Sequence, residues 1–322
     1  MTHLGGGVVV LASFILDLVA RVPRRPLPGE SIVGSDFGMF AGGKGNNQAI
    51  AAARSGADVR VIGRLGEDVF AAPFVAALAR EGIDARSVAR DAEAGTGLAF
   101  PLIEPDGQNS IVVLPRANLA LRPEHVRTAA AAFDGAAVLL AQLEVPVETA
   151  AAAAEMARDR GMRVLLNPAP APADGLPGHL LRLVDVLLPN EREAETLSGV
   201  AVRDAAGAER AARALIAAGC RQVVVTLGRA GAVWVAGQDQ PAIWLPPFAV
   251  EQVDATGAGD AFCGVLAAGL AAGMNERVAL RRASAAGALA VTRMGAEPSM
   301  PVAAAIDALL SRQAAGEWDR PG

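Results

Sequence analysis

Short, almost purely aliphatic runs recur along this chain, separated by long alanine-rich stretches. The runs are Val8-Val9-Val10-Leu11, Val59-Arg60-Val61-Ile62, Val138-Leu139-Leu140, Val164-Leu165-Leu166, Val186-Leu187-Leu188 and Val223-Val224-Val225. A strand with one wet face alternates apolar and polar side chains. A run without alternation suits a strand covered on both faces, as in a parallel sheet between helix layers. The stretches 47–55, 146–160 and 204–218 hold strong helix formers and are long enough to cross back over such a sheet. The pattern predicts an α/β fold with a doubly wound, mostly parallel sheet flanked by helices, in a single domain spanning residues 1–322. Residues 8–19 read as one buried first strand rather than a signal peptide, since no Lys or Arg precedes the run and Asp17 interrupts it.

Two segments break the alternation. Residues 20–40 are rich in Pro and Gly, and within 96–114 the sequence Glu104-Pro105-Asp106-Gly107 has the chemistry of a hairpin turn. Strands inserted at about 14–41 and 96–118 are expected to form a small β-strand lid over the carboxyl ends of the parallel strands, where open α/β sheets bind ligands. Their apolar content also makes them a candidate dimer surface. The alanine tracts at 129–132 and 150–154 are helix formers, and no internal repeat is evident.

Composition narrows the function classes. With 52% hydrophobic and 20% charged residues the 322-residue chain has ample core, and its net charge of -5 is the wrong sign for a nucleic-acid or anionic-membrane surface. No stretch reaches the length of a membrane span, so a soluble protein is expected. Two cysteines, Cys220 and Cys263, cannot build a disulfide framework and fit a reducing cytoplasm. His3, His125 and His179 accompany no nucleophile motif, which argues against a Ser-His-Asp or Cys-His hydrolase. Cys263 reads as a small core residue, and Trp234, Trp244 and Trp318 as core or lid.

The most informative stretch is Asp254-Ala255-Thr256-Gly257-Ala258-Gly259-Asp260, followed by helix formers to Ala272. Small residues before a helix leave its first amides uncovered, and the helix dipole adds positive potential, so Gly257, Ala258 and Gly259 form an anion site made of backbone. Asp260 beside that site is a candidate general base for an attacking hydroxyl. The competing reading makes it an ordinary first-turn acid. In Gly42-Gly43-Lys44-Gly45-Asn46-Asn47-Gln48-Ala49 the glycine spacing loosely fits a Walker A loop, but Gly45 stands where that loop has its Ser or Thr. Lys44 and Asn47 instead supply donors for the hydroxyls of a polar, uncharged substrate. No G-x-G-x-x-G follows a strand, which removes the main support for a dinucleotide oxidoreductase. Gln142-Leu143-Glu144, Pro189-Asn190-Glu191-Arg192-Glu193 and Thr226-Leu227-Gly228-Arg229-Ala230-Gly231 each end a predicted strand, on the same sheet edge as Asp260.

Gly42-Gly43-Lys44-Gly45-x-Asn47-Gln48-Ala49 and Asp254-Ala255-Thr256-Gly257-Ala258-Gly259-Asp260, in this order and far apart, closely resemble the two motifs of the ribokinase, or phosphofructokinase-B type, family of sugar kinases. The likeness runs from Val8 to about Leu310. It takes in Leu166-Asn167-Pro168-Ala169-Pro170-Ala171, Pro189-Asn190-Glu191-x-Glu193-Ala194-Glu195 and Ala290-Val291-Thr292-Arg293-x-Gly295-Ala296-x-Pro298-Ser299. The resemblance implies transfer of the ATP γ-phosphoryl group to the primary hydroxyl of a pentose, with Asp260 as base and the Gly257–Gly259 amides as anion hole. It implies that Asp17, Gly43, Lys44, Asn47, Glu144 and Asp260 bind the sugar. Asn190 and Glu193 would organise Mg2+ and phosphates, and Thr226, Gly228, Gly231, Gly259 and Ser284 would contact ATP. Asp254, Thr256, Ala290, Arg293, Gly295 and Ser299 match a K+ site, and members are commonly homodimers joined through lid strands. Two departures bear on the sugar. Ile15 stands where ribokinases usually carry Asn, which favours a substrate lacking one hydroxyl, such as 2-deoxyribose, with fructose or a nucleoside as further candidates. Pro115-Arg116-Ala117-Asn118 replaces a smaller motif, so Arg116 is expected either to reach the sugar or its exit path, or to lie exposed in the lid. From a different class, a sugar-sensing binding protein without turnover is the rival reading.

Overall fold

The computed structural model describes residues 6–313. The chain runs β1 (Gly7–Leu11), β2 (Ile15–Arg21), β3 (Asp36–Gly42), α1 (Lys44–Arg54), β4 (Val59–Gly66), α2 (Ala72–Arg80), β5 (Asp84–Asp91), β6 (Gly97–Ile103), β7 (Asn109–Leu114), α3 (Pro123–Thr128), β8 (Ala136–Ala141) and α4 (Val147–Asp159). It continues through β9 (Arg163–Leu166), α5 (Gly178–Leu183), β10 (Val186–Leu187), α6 (Glu191–Ser198), α7 (Ala205–Ala217), β11 (Gln222–Thr226), β12 (Ala232–Val235), β13 (Ala242–Leu245), α8 (Ala258–Ala271), α9 (Glu276–Ala290) and α10 (Ala303–Arg312).

Nine strands form one sheet in the order β13-β12-β11-β10-β9-β8-β1-β4-β5. It is parallel except at one edge, where β12 pairs antiparallel with both β11 and β13. Side-chain alternation along the inner strands feeds two cores. Val8 and Val10 of β1 join one with α1, α8 and α9, whereas Val9 and Leu11 join the other with α4 and α7. Both faces are therefore covered by helices, and this is why the aliphatic runs do not alternate in the sequence. Successive crossovers run outward in opposite directions from β1 and β8, which places the topological switch point between them.

A second sheet, in the order β3-β2-β6-β7, stands apart from the first. Its β6–β7 hairpin closes through Glu104 and Gln108, with Gly107 at a φ of 85°. The expectation of one strand over residues 8–19 is corrected, because β1 and β2 belong to different sheets. At the break, main-chain groups bond to other partners instead of a ladder. The Asn118 side chain takes both the Phe14 N–H and the Phe14 carbonyl, at 2.8 Å each, and the Ser13 carbonyl accepts from the Asn46 amide at 3.1 Å. Trp234 is a core residue, but Trp244 is neither core nor lid: it sits half-exposed on the edge strand β13. His3 and Trp318 lie outside the described residues. Among the described residues no helix is long and apolar enough to cross a membrane.

Candidate active site

The α8 helix begins at Gly257, whose φ of 81° lies in the left-handed region. A Cβ there would come within 2.6 Å of Met300 Cε, the movable end of a side chain, so it is the left-handed conformation that calls for glycine. No N-cap side chain covers the first amides, and no heavy atom approaches within 4 Å of where a Cβ on Gly259 would sit. Open space thus faces the positive end of a 14-residue helix, a suitable setting for a phosphoryl group.

Asp260, in the first turn of α8, is buried, and its carboxylate accepts hydrogen bonds from α1. Asn47 Nδ2 donates to Oδ2 and Gln48 Nε2 to Oδ1, at 3.0 Å each. Burial pushes the carboxyl above the usual range, opposed by the Lys44 charge and the two amide donors. The carboxylate is turned onto a neighbouring helix rather than onto its own terminus.

The switch point supplies the second half of the site. Ser13, just beyond β1, donates its hydroxyl to Glu144 Oε2 beyond β8 at 2.7 Å, and the Lys44 amide donates to the same oxygen at 2.8 Å. Gly43, with φ 88°, makes the turn from β3 into α1 and passes so close that a Cβ would lie 2.6 Å from the Ser13 carbonyl. Lys44 is set among Asp260, Glu144 and Glu193. Burial alone would lower its pKa, but these carboxylates outweigh it and hold the ammonium charged. Burial, then the Glu144 charge, raises Asp17 to about 6. Asp17 is thus ionised above that pH and a protonated carboxyl below it. Ile15 is 5% exposed and, two residues earlier on β2, shares the face of Asp17.

A cleft of about 690 Å³ extends from Lys44 and Asp260 along the strand ends. Its lining includes Asn190, Glu193, Thr226, Gly228, Gly231 and Ser284, together with Gly257, Ala258 and Gly259. Asn190 and Glu193 form a reciprocal capping box on α6, in which Glu193 accepts from the Asn190 amide and Asn190 Oδ1 accepts from that of Glu193, each at 2.9 Å. The helix-capping role is therefore real, and the same pair also faces the cleft. Burial raises the Glu193 carboxyl.

Alongside, Asp254 gathers two loops. Oδ1 accepts from the Thr256 amide at 2.9 Å and its hydroxyl at 2.7 Å, and Oδ2 from the Gly295 amide at 2.9 Å. Burial opposes ionisation here, but these donors hold Asp254 below its ordinary range. The Val253 and Asp254 amides both donate to the Val291 carbonyl, and the Arg293 amide donates to the Ala290 carbonyl. Ser299 is buried and donates to the Ala296 carbonyl at 2.7 Å. Arg116 turns elsewhere: its guanidinium donates to the Thr96 carbonyl at 3.0 Å and lies 3.8 Å from Asp68. Three participants carried no role from sequence alone: Ser13, Gln48 and Asn167. Residues 247–250, which line the cleft ahead of α8, carry no motif in the sequence.

A carboxylate held at an uncapped helix N-terminus, between a cleft and a set of buried polar side chains, fits a phosphotransferase acting on an alcohol. The family model for pfkB family carbohydrate kinases matches residues 6–303, and the chain belongs to that family. It is 38% identical over 296 residues to a ribokinase of Mus musculus, covering 91% of each chain. It is 34% identical to a deoxyribokinase of Salmonella typhi, covering 91% of this chain and 95% of the relative. A bifunctional ribokinase/ribose-5-phosphate isomerase A of Fructilactobacillus sanfranciscensis is 38% identical over 93% of this chain, which spans 55% of that longer protein. Among solved structures, an Arabidopsis thaliana ribokinase complexed with ribose and ATP superposes with a TM-score of 0.89 at 31% identity, covering 95% of this chain and 98% of that one.

Proposed function

We propose that the protein transfers the γ-phosphoryl group of ATP to the primary, 5-hydroxyl of a pentose, D-ribose first. The observation that carries this reading is Asp260, fixed by Asn47 and Gln48 beside the open N-terminus of α8. In this reading Asp17, Gly43, Lys44, Asn47 and Glu144 hold the sugar, with the second sheet as lid of a single domain. Asp260 accepts the proton of the hydroxyl whose oxygen forms the new bond to phosphorus, and the bond to ADP breaks. The Gly257, Ala258 and Gly259 amides face the phosphoryl oxygens. ATP occupies the cleft between Thr226, Gly228, Gly231 and Ser284. No cluster of three or more metal-ligating side chains occurs among the described residues. That fits Mg2+ carried mainly by phosphates and water, with Glu193 and Asn190 beside it, where it would neutralise phosphate charge. K+ would lie among the carbonyls of loops pinned by Asp254, at Thr256, Ala290, Arg293, Gly295 and Ser299. Exposed Phe37, Met39, Ile111 and Val112 on the second sheet support a homodimer through the lid strands. Buried, unpaired Cys220 and Cys263 suit the cytoplasm.

Coupled ADP release with Mg-ATP and a panel of ribose, 2-deoxyribose, fructose and adenosine tests the reading. Ribose turnover is expected, whereas sugar binding without ADP release on any member would make the protein a sensor. Buried Ile15 favours 2-deoxyribose as the second substrate. Ile15→Asn is then expected to shift the ribose-to-deoxyribose ratio of kcat/KM toward ribose by roughly 5- to 150-fold, the worth of about 1–3 kcal/mol for a buried hydroxyl that gains a partner. An unchanged ratio would remove Ile15 from sugar selection. In the same assay potassium is expected to raise the rate over sodium alone, and equal rates would remove the cation site from the proposal.

A further inference from the structure

Gln48 sits fully buried on α1, and both of its amide hydrogens are used. Nε2 donates to Asp260 Oδ1 at 3.0 Å and to Asn167 Oδ1 at 3.1 Å. A carboxylate only accepts hydrogen bonds, so the nitrogen of each neighbouring amide must face it, and the amide oxygens must turn away. They do so at a cost. Gln48 Oε1 and Asn47 Oδ1 are buried without hydrogen-bond partners among the described residues. An arrangement that leaves two acceptors orphaned is poor for stability alone, and its return lies in what it does to Asp260.

Gln48 is in turn fixed from the sheet. Asn167, beyond β9, donates through Nδ2 to the Leu188 carbonyl beyond β10 at 2.8 Å, and its own amide donates to the Ala141 carbonyl of β8 at 2.9 Å. A continuous line of hydrogen bonds thus runs from three strand ends through Asn167 and Gln48 to one oxygen of Asp260. Asn47 holds the other oxygen. The carboxylate can neither rotate nor slide, and each oxygen keeps one lone-pair direction for a hydroxyl proton. The remaining charged and titratable groups facing Asp260 are Lys44 on α1, Glu144 beyond β8, Glu193 on α6 and Cys263 on α8. Lys44 alone among them favours the ionised carboxylate. The amide donors therefore share with it the task of keeping a buried base ionised.

We propose that Gln48, held by Asn167, is a positioning residue that fixes the orientation of Asp260 and keeps it ready to accept the sugar hydroxyl proton. The inference rests on the kinase reading above and adds a residue to it. Gln48→Met keeps the length of the side chain and removes the donor. In this variant the acid limb of kcat is expected to move up by about 1–2 pH units, the worth of a hydrogen bond to a charged group. KM for sugar and ATP should stay near wild type, and the rate should recover as pH rises. The carboxyl 13C resonance of Asp260, assigned by its loss in Asp260→Asn, should titrate with a midpoint shifted the same way. A kcat loss equal at every pH, or an unmoved midpoint, would overturn the proposal. Should Gln48→Met not fold, Asn167→Ser tests the same line one step back, with a smaller shift of the same sign expected and no shift overturning it. Absence of wild-type turnover would sink the kinase reading, while the carboxyl titration would still decide whether Gln48 and Asn167 govern Asp260.

Discussion

Asp260→Asn is expected to lower kcat by about 10²–10⁴, the usual worth of a general base. Asparagine keeps the size and buried position of the side chain but cannot take a proton from the hydroxyl. Its Nδ2 would also confront the Asn47 or Gln48 amide donors that now face a carboxylate. On the proposed assignment binding should suffer less than turnover, because Asp17, Lys44 and Glu144 would remain for the sugar and the cleft for ATP. Stability gives a second signature with the opposite sign. Burial raises the folded-state pKa of Asp260 above its ordinary 3.8. An acid raised on folding favours the folded state most at low pH, and this contribution is lost as pH climbs through the raised value. Above that raised value the wild type carries a buried charge that the variant lacks. The melting temperature of Asp260→Asn relative to wild type should therefore rise as pH climbs through the raised value, on top of a pH-independent cost from the donor clash. Thermal melts across that range, beside steady-state rates, check both halves. A variant that turns over normally would remove Asp260 as the base. One that is inactive, with a melting gap to wild type that does not change with pH, would point to lost structure instead.

The sheet was legible because its central strands are buried on both faces, so burial writes itself as unbroken Val and Leu. Where burial is one-sided or absent the writing stops. The edge strand β5, Asp84–Asp91, carries four charged residues in eight and gives no aliphatic run. The division between β1 and β2 was hidden for another reason. Nothing in Ala12-Ser13-Phe14 resembles a turn, and the chain leaves the sheet there because Asn118, Glu144 and the start of α1 supply bonds to Ser13 and Phe14. The same contrast holds in the site. Asp260, Lys44 and Glu193 stand in motifs whose chemistry is local: a glycine-lined helix start, a loop of donors, a capping box. Ser13, Gln48 and Asn167 act through bonds to residues far off in the chain: Ser13 to Glu144 across 131 positions, Gln48 to Asp260 across 212 and to Asn167 across 119. No spacing rule reaches that far, and only the fold brings these groups together.

The helix pair that carries the site leads to the second large effect. Gly264, one turn beyond Asp260 on α8, lies against α1, where an added Cβ would meet the Gln48 carbonyl at 2.4 Å, Ala51 Cβ at 2.7 Å and the Ala52 amide at 3.0 Å. Two of these three neighbours are backbone and cannot swing aside, so Gly264→Ala must move α8 off α1. Overpacking of this kind costs about 1–3 kcal/mol, and more where backbone has to yield. Alanine's better helix propensity returns at most about 1 kcal/mol. The displacement falls on the bonds from Asn47 and Gln48 to Asp260, both already 3.0 Å long, so the same substitution should misalign the base. A lowered melting temperature together with a fall in kcat larger than any change in KM for ATP is therefore expected. Gly178→Ala, at the start of α5, is the comparison: its Cβ would meet nothing nearer than Arg182 Nη1 at 3.4 Å, and both stability and rate should stay close to wild type. If Gly264→Ala melts and turns over like Gly178→Ala, close contact between α1 and α8 is not what aligns Asp260. Should stability fall while kcat holds, the two helices would be shown to move together, carrying the amides and the carboxylate as one unit.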